Sequence, residues 1–160
     1  MTIQDDGDLI KGLGFVCLYA AYLEESIDDV FELLVIRDGE FNEKVFRWQV
    51  SRKLDYIEKT LTSWGEIPDE LDQFKQTLRP IGQLLEERNL AVHGRIYANP
   101  GATVVLKPAR RGMAERPAVS SELYQLANDL FDARNPMLRA SMFSIPRYLR
   151  AHGDQSMGAN

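Results

Sequence analysis

The chain has 160 residues, is 44% hydrophobic and 27% charged, and carries a formal net charge of −5 at pH 7. That length fits one domain with a real core, and that composition excludes a wholly disordered chain. A single cysteine, Cys17, and two histidines, His93 and His152, exclude an intrachain disulfide framework and a Cys-based zinc knuckle, and argue against an all-protein Cys/His metal site.

The longest charge-free stretch, Gly12 to Leu23, is shorter than the roughly 20 residues a membrane helix needs. The first eight residues hold Asp5, Asp6 and Asp8 and no Lys or Arg, unlike a secretory signal. The expectation is a cytoplasmic, reducing location with no membrane partner. Residues 1–78 sum to −9 and residues 79–160 to +4, so the acidic half precedes the basic one. The basic half has ten arginines and one lysine, and Arg suits bidentate phosphate or carboxylate contacts.

Residues 8–36 place Leu9, Leu13, Val16, Ala20, Leu23, Ile27, Val30 and Leu34 at alternating spacings of three and four. This heptad seam predicts a long helix, with Asp8 as its N-cap and enough length to serve a dimer interface as well as a core. Arg37 to Glu40 predicts a turn in which Gly39 takes positive φ. A second helix is expected from Asn42, its cap, to about Trp64, with Val45, Trp48 or Phe46, Leu54, Ile57 and Leu61 inward. A third is expected from about Pro68 to His93 on Leu71, Phe74, Leu78, Ile81, Leu85 and Val92, kinked or restarted at Pro80.

After His93 the period changes. Arg95–Ala98 and Ala102–Lys107 predict a β-hairpin, with Pro100 and Gly101 central in a type II turn. Pro108 to Pro117 reads as a basic loop. A fourth helix starts near Ser120 or Ser121 and carries Leu123, Leu126, Leu130 and Phe131. Asn135-Pro136 is expected to interrupt it, with Met137 to Leu149 continuing, and Met137, Met142 and Phe143 packing inward. Trp48 and Trp64 read as core anchors. The fold class is all-α: a four- to five-helix bundle with a small β-hairpin inserted after the third helix. One domain is expected over residues 1–150, with a disordered polar tail over 151–160 in which His152 has no structural role.

One segment breaks its own pattern. Extending Leu78, Ile81 and Leu85 at the same spacing gives positions 88 and 92, and position 88 is Arg. A charge on an apolar stripe is costly unless it is paired or faces a cleft. Asn89 and His93 are four apart and share a face, whereas Arg88 and His93 lie about 140° apart around the axis. Gly94 follows as the expected C-cap. An imidazole can move a proton at neutral pH, and a guanidinium can bind a phosphate and stabilise charge that develops on it. These groups suit metal-free cleavage of an RNA phosphodiester. The plainer reading pairs Arg88 with Glu24 or Glu25 of the first helix and leaves His93 as a helix end.

Arg88-Asn89-x-x-x-His93-Gly94, late in the third helix of a predicted bundle, resembles the HEPN superfamily. Leu23-Glu24 in the first helix, Arg52-Lys53-Leu54 in the second and the hairpin after His-Gly agree with it. The resemblance covers about residues 9–135, and its specific part is the motif. It implies a metal-independent endoribonuclease, with no cofactor, that forms homodimers in which two Arg/His sets meet in one cleft. It also implies a role in toxin–antitoxin, phage-defence or RNA-processing systems, with RNA as substrate and an antitoxin or defence protein as partner. Carried over, Arg88 and His93 are the catalytic pair and Asn89 the adjacent polar helper. Glu24 would orient Arg88, while Arg95, Tyr97, Lys107, Arg110 and Arg111 would guide RNA, joined by Arg116. Where some toxins of the superfamily carry Tyr two residues after the His, this chain has Arg95. The alternative is a catalytically silent HEPN-like dimeric module that recognises a nucleotide or a protein partner.

Overall fold

The computed structural model describes residues 2–40, 42–98, 104–107 and 112–152. The chain is all-α with a small antiparallel sheet. Its order is α1 (Leu9–Arg37), α2 (Glu43–Phe46), α3 (Val50–Ser63), α4 (Asp69–Val92), β1 (Arg95–Ala98), β2 (Val104–Lys107), β3 (Arg116–Pro117), α5 (Ser120–Arg139), a π-helical turn (Ala140–Ser144) and α6 (Ile145–His152). No helix among the described residues is long and apolar enough to cross a membrane. The expected Pro100-Gly101 turn lies outside the described residues, as do Arg110, Arg111 and the tail beyond His152.

The α1 seam is where its spacing puts it: Val16, Ala20, Leu23, Ile27, Val30 and Leu34 are all buried. Asp8 caps the helix by accepting from the backbone N–H groups of Ile10 and Lys11 at 2.9 and 3.0 Å. Gly39 adopts φ +71°, the left-handed conformation that its turn requires. Cys17 is a free, exposed thiol on α1.

Three expected boundaries are corrected. The second helix is two helices, parted at Arg47–Gln49. Phe46 and Trp48 both set their rings against Phe31, at 6.2 and 5.7 Å between centroids. Residues two apart on one helix point about 200° apart, so the chain leaves the helix to bring both rings to one partner. The third helix runs through Pro80 without a restart. Pro80 is exposed, and Leu78 and Ile81 beside it are buried, so core packing carries the helix across the missing N–H. The fourth helix runs through Asn135-Pro136 as well, and the irregularity comes four residues later. There the N–H of Ile145 donates to the carbonyl of Ala140, an i→i+5 closure. This wider turn buries both Ser144 and Ile145 and leaves Met142 and Phe143 63% and 54% exposed, against the expectation that they pack inward.

The expected hairpin is present with β1 and β2 paired Arg95↔Lys107 to Ala98↔Val104. The basic loop supplies a third strand, since Val105 and Leu106 pair with Pro117 and Arg116. Proline sits here on an edge strand, where its missing N–H is tolerated.

The chain divides into two compact units, one of residues 1–23 and 81–133, the other of 24–80 and 134–160. In the first, Phe15 and Tyr19 of α1 meet Tyr124 and Phe131 of α5 edge-on, at 5.9 and 5.0 Å. The buried Tyr124 donates to Asp6, which Lys11 also grips. Together they hold the Asp6 carboxyl well below the usual carboxylate range, and burial with the Asp6 charge pushes the Tyr124 phenol up to about 12. In the second unit the core gathers Phe31, Ile57, Leu61, Leu71 and Met137. Lys53, 5% exposed, reaches Asp28 at 2.6 Å. Trp64 stacks on Tyr148 at 4.5 Å, and Tyr148 stacks in turn on His152. His152 therefore closes α6 and takes part in packing, where no structural role was expected.

Candidate functional site

The site begins on the last turns of α4, in the first unit. Arg88 is half-buried and continues the stripe of Ile81 and Leu85, both buried. Asn89 and His93 are exposed. The N–H of His93 donates to the carbonyl of Asn89 at 3.1 Å, so the helix closes its last turn on the imidazole-bearing residue. The backbone rises about 7.5 Å between residues 88 and 93, and the two side chains leave it on different sides. The imidazole thus stands exposed at the helix end, while Arg88 is half-buried with its guanidinium Nε out of reach of solvent.

Gly94 corrects one expectation. It does not take positive φ, and its place is fixed by contact. A Cβ there would meet Leu106 Cδ1 at 2.8 Å, the Leu90 carbonyl at 2.9 Å and the Lys107 carbonyl at 3.1 Å. Glycine is what lets β2 pass this close to the end of α4, and that approach sets where His93 sits relative to the sheet.

On the sheet, Arg95 faces Lys107 directly in the β1–β2 register, and Tyr97 lies two residues along on the side of Arg95. The three border one shallow depression with Ile96. Sequence reasoning missed Glu115, whose carboxylate lies 3.2 Å from Lys107 Nζ and accepts from the Tyr97 phenol. Those two bonds hold the Glu115 carboxyl below its ordinary range. The same bond raises the Tyr97 phenol, with burial second. The signal for Glu115 was present as the one acid between Arg111 and Arg116. Arg116 is likewise engaged, at 3.1 Å from Glu122.

Glu24 is half-buried on α1 and Glu25 is exposed, both within the second unit. Trp48 and Trp64, read as core anchors, are half-buried and pack at the edge of the core. Trp48 lies between Phe31 and Tyr56, with the Arg52 guanidinium 3.7 Å over its ring. A cleft of about 760 Å³ opens on the face of α4 that carries Glu87, Leu90 and Ala91. Asn89 and His93 project roughly opposite to Glu87 on the helical wheel.

The chain matches no family model, no curated protein and no solved structure.

Proposed function

We propose that this chain is a HEPN-like, metal-independent endoribonuclease, of the kind used as a toxin or phage-defence effector, acting as a homodimer. The observation that carries the reading is Arg88, a guanidinium on the apolar stripe of α4, directly followed by an exposed Asn89 and, five residues on at the helix end, an exposed His93. The helical architecture and the hairpin immediately after His93-Gly94 support it.

In this reading Arg88 holds a phosphate oxygen and meets the charge that grows there in the transition state. His93 takes the proton from the ribose 2′-hydroxyl as that oxygen bonds to phosphorus. The bond from phosphorus to the 5′-oxygen breaks, and an imidazolium returns a proton to the departing oxygen. The products are a 2′,3′-cyclic phosphate and a 5′-hydroxyl. Such acid–base assistance contributes roughly 10²–10⁴-fold. Asn89 positions the imidazole or the phosphate, and Arg95, Tyr97, Lys107, Arg110 and Arg111 guide the strand.

The test is cleavage of labelled RNA in EDTA by the native chain, Arg88→Ala and His93→Ala. Cleavage with cyclic-phosphate ends by the native chain, and loss of it in both variants with circular dichroism unchanged, is the expected result. A second reading, a catalytically silent binding module, is favoured by Glu115, which engages Lys107 and Tyr97 where RNA phosphates would sit. Absence of cleavage on several RNAs, together with retained homodimerisation, would decide for it.

A further inference from the structure

We propose that the cleft between the end of α4 and the start of α5 binds a small organic cation, an ammonium or guanidinium carried on an apolar body. The cleft holds about 760 Å³, within the range of small-molecule sites. Its floor is apolar: Ala91, Leu106, Leu123 and Leu126 line it and are each buried. Its α5 wall runs from Ser121 to Asp129, about 12 Å along the helix, the length of a compact drug-sized molecule.

The charge around this floor is one-sided. Arg116 is the cation among the described lining residues, and Glu122 already matches it at 3.1 Å. Glu87 on α4 and Asp129 on α5 remain, on opposite walls, and no ion pair joins either to a cation among the described residues. Asp129 accepts from the Gln125 amide at 2.8 Å, which fixes the carboxylate without neutralising it. An apolar floor under two carboxylates that no cation among the described residues matches attracts a molecule with a hydrophobic body and a positive head. It repels the same body carrying a negative one. Arg88, Asn89 and His93 are not among the lining residues, so this site does not depend on the ribonuclease reading.

Isothermal titration of the full chain with 4-phenylbutylammonium, 4-phenylbutanol and 4-phenylbutyrate tests the proposal, since the three share a body and differ in charge. The ammonium should bind saturably and about tenfold more tightly than the carboxylate, or about 1.4 kcal/mol. The alcohol should fall between them. In Glu87→Gln/Asp129→Asn the preference should collapse to near parity while the alcohol binds as before. Glu87 is exposed and Asp129 half-buried, and unchanged alcohol binding shows that the cleft still forms. No saturable binding of the ammonium, equal affinity for the carboxylate, or a preference that survives the double substitution would overturn the proposal.

Discussion

Replacing Gly94 by alanine adds one methyl group at the junction of α4 and the sheet. The new carbon would lie 2.8 Å from Leu106 Cδ1, 2.9 Å from the Leu90 carbonyl oxygen and 3.1 Å from the Lys107 carbonyl oxygen. The Leu106 methyl can rotate away, although Leu106 is itself 5% exposed and packed. The two carbonyls are backbone and cannot yield without moving the helix end from the strand. Overpacking of this kind costs about 1–3 kcal/mol. With two of three neighbours immobile, about 2 kcal/mol is expected, a drop of roughly 4–8 °C in melting midpoint for a chain of this size. Gly14→Ala is the matched control. Gly14 lies inside α1, and nothing stands within 4 Å of its added Cβ. There alanine should stabilise the chain by about 0.5–1 kcal/mol through helix propensity. Thermal and urea unfolding followed by circular dichroism measure both. A Gly94→Ala midpoint equal to or above the native one would refute the account of why glycine follows His93.

Other expectations follow from the ionised groups. The folded Asp6 carboxyl titrates below its unfolded value, so its contribution is complete above about pH 4 and fades as pH falls through the folded range. Urea midpoints of the native chain should therefore drop more steeply from pH 5 to pH 2 than those of Asp6→Asn; equal slopes would remove Asp6 from the acid response. Asp28→Asn strands the buried Lys53 ammonium and should cost about 1–3 kcal/mol. Lys53→Met removes the charge and keeps an apolar chain, so it should cost less; the reverse order of urea midpoints would contradict the pairing. Glu115→Gln frees Lys107 and Tyr97, so the Tyr97 phenol should ionise at lower pH in a spectrophotometric titration. RNA should also bind that variant more tightly at low salt; weaker binding would count against a guiding role for this face.

Much of the fold was legible because it rests on period. The α1 seam and the α4 stripe repeat over enough turns that burial has one consistent solution, while Asp8 and Gly39 mark the ends of α1, and Asn42 the start of α2, by local chemistry. What escaped was decided by partners distant in sequence. The break at Arg47–Gln49 exists because one ring, Phe31, draws both Phe46 and Trp48; the sequence offers either residue as the inward one and does not show that both are. Proline reads locally as an interruption, yet Pro80 and Pro136 lie in helices held by buried residues on both flanks. At the site, Arg88 stood out as a charge on an apolar stripe. Glu115 did not, because a lone acid in a basic segment acquires meaning only when strand pairing sets Lys107 and Tyr97 beside it.

The exposed Cys17 has a practical corollary. It is the chain's single thiol, so an interchain disulfide between two copies can join only Cys17 to Cys17. Such a link requires the two α-carbons to come within about 7 Å. A covalent dimer trapped by mild oxidation would therefore carry its own ruler: it would place the exposed faces of two α1 helices side by side at one known position. Failure to trap it, for a chain that is dimeric by sedimentation, would assign the contact to another surface.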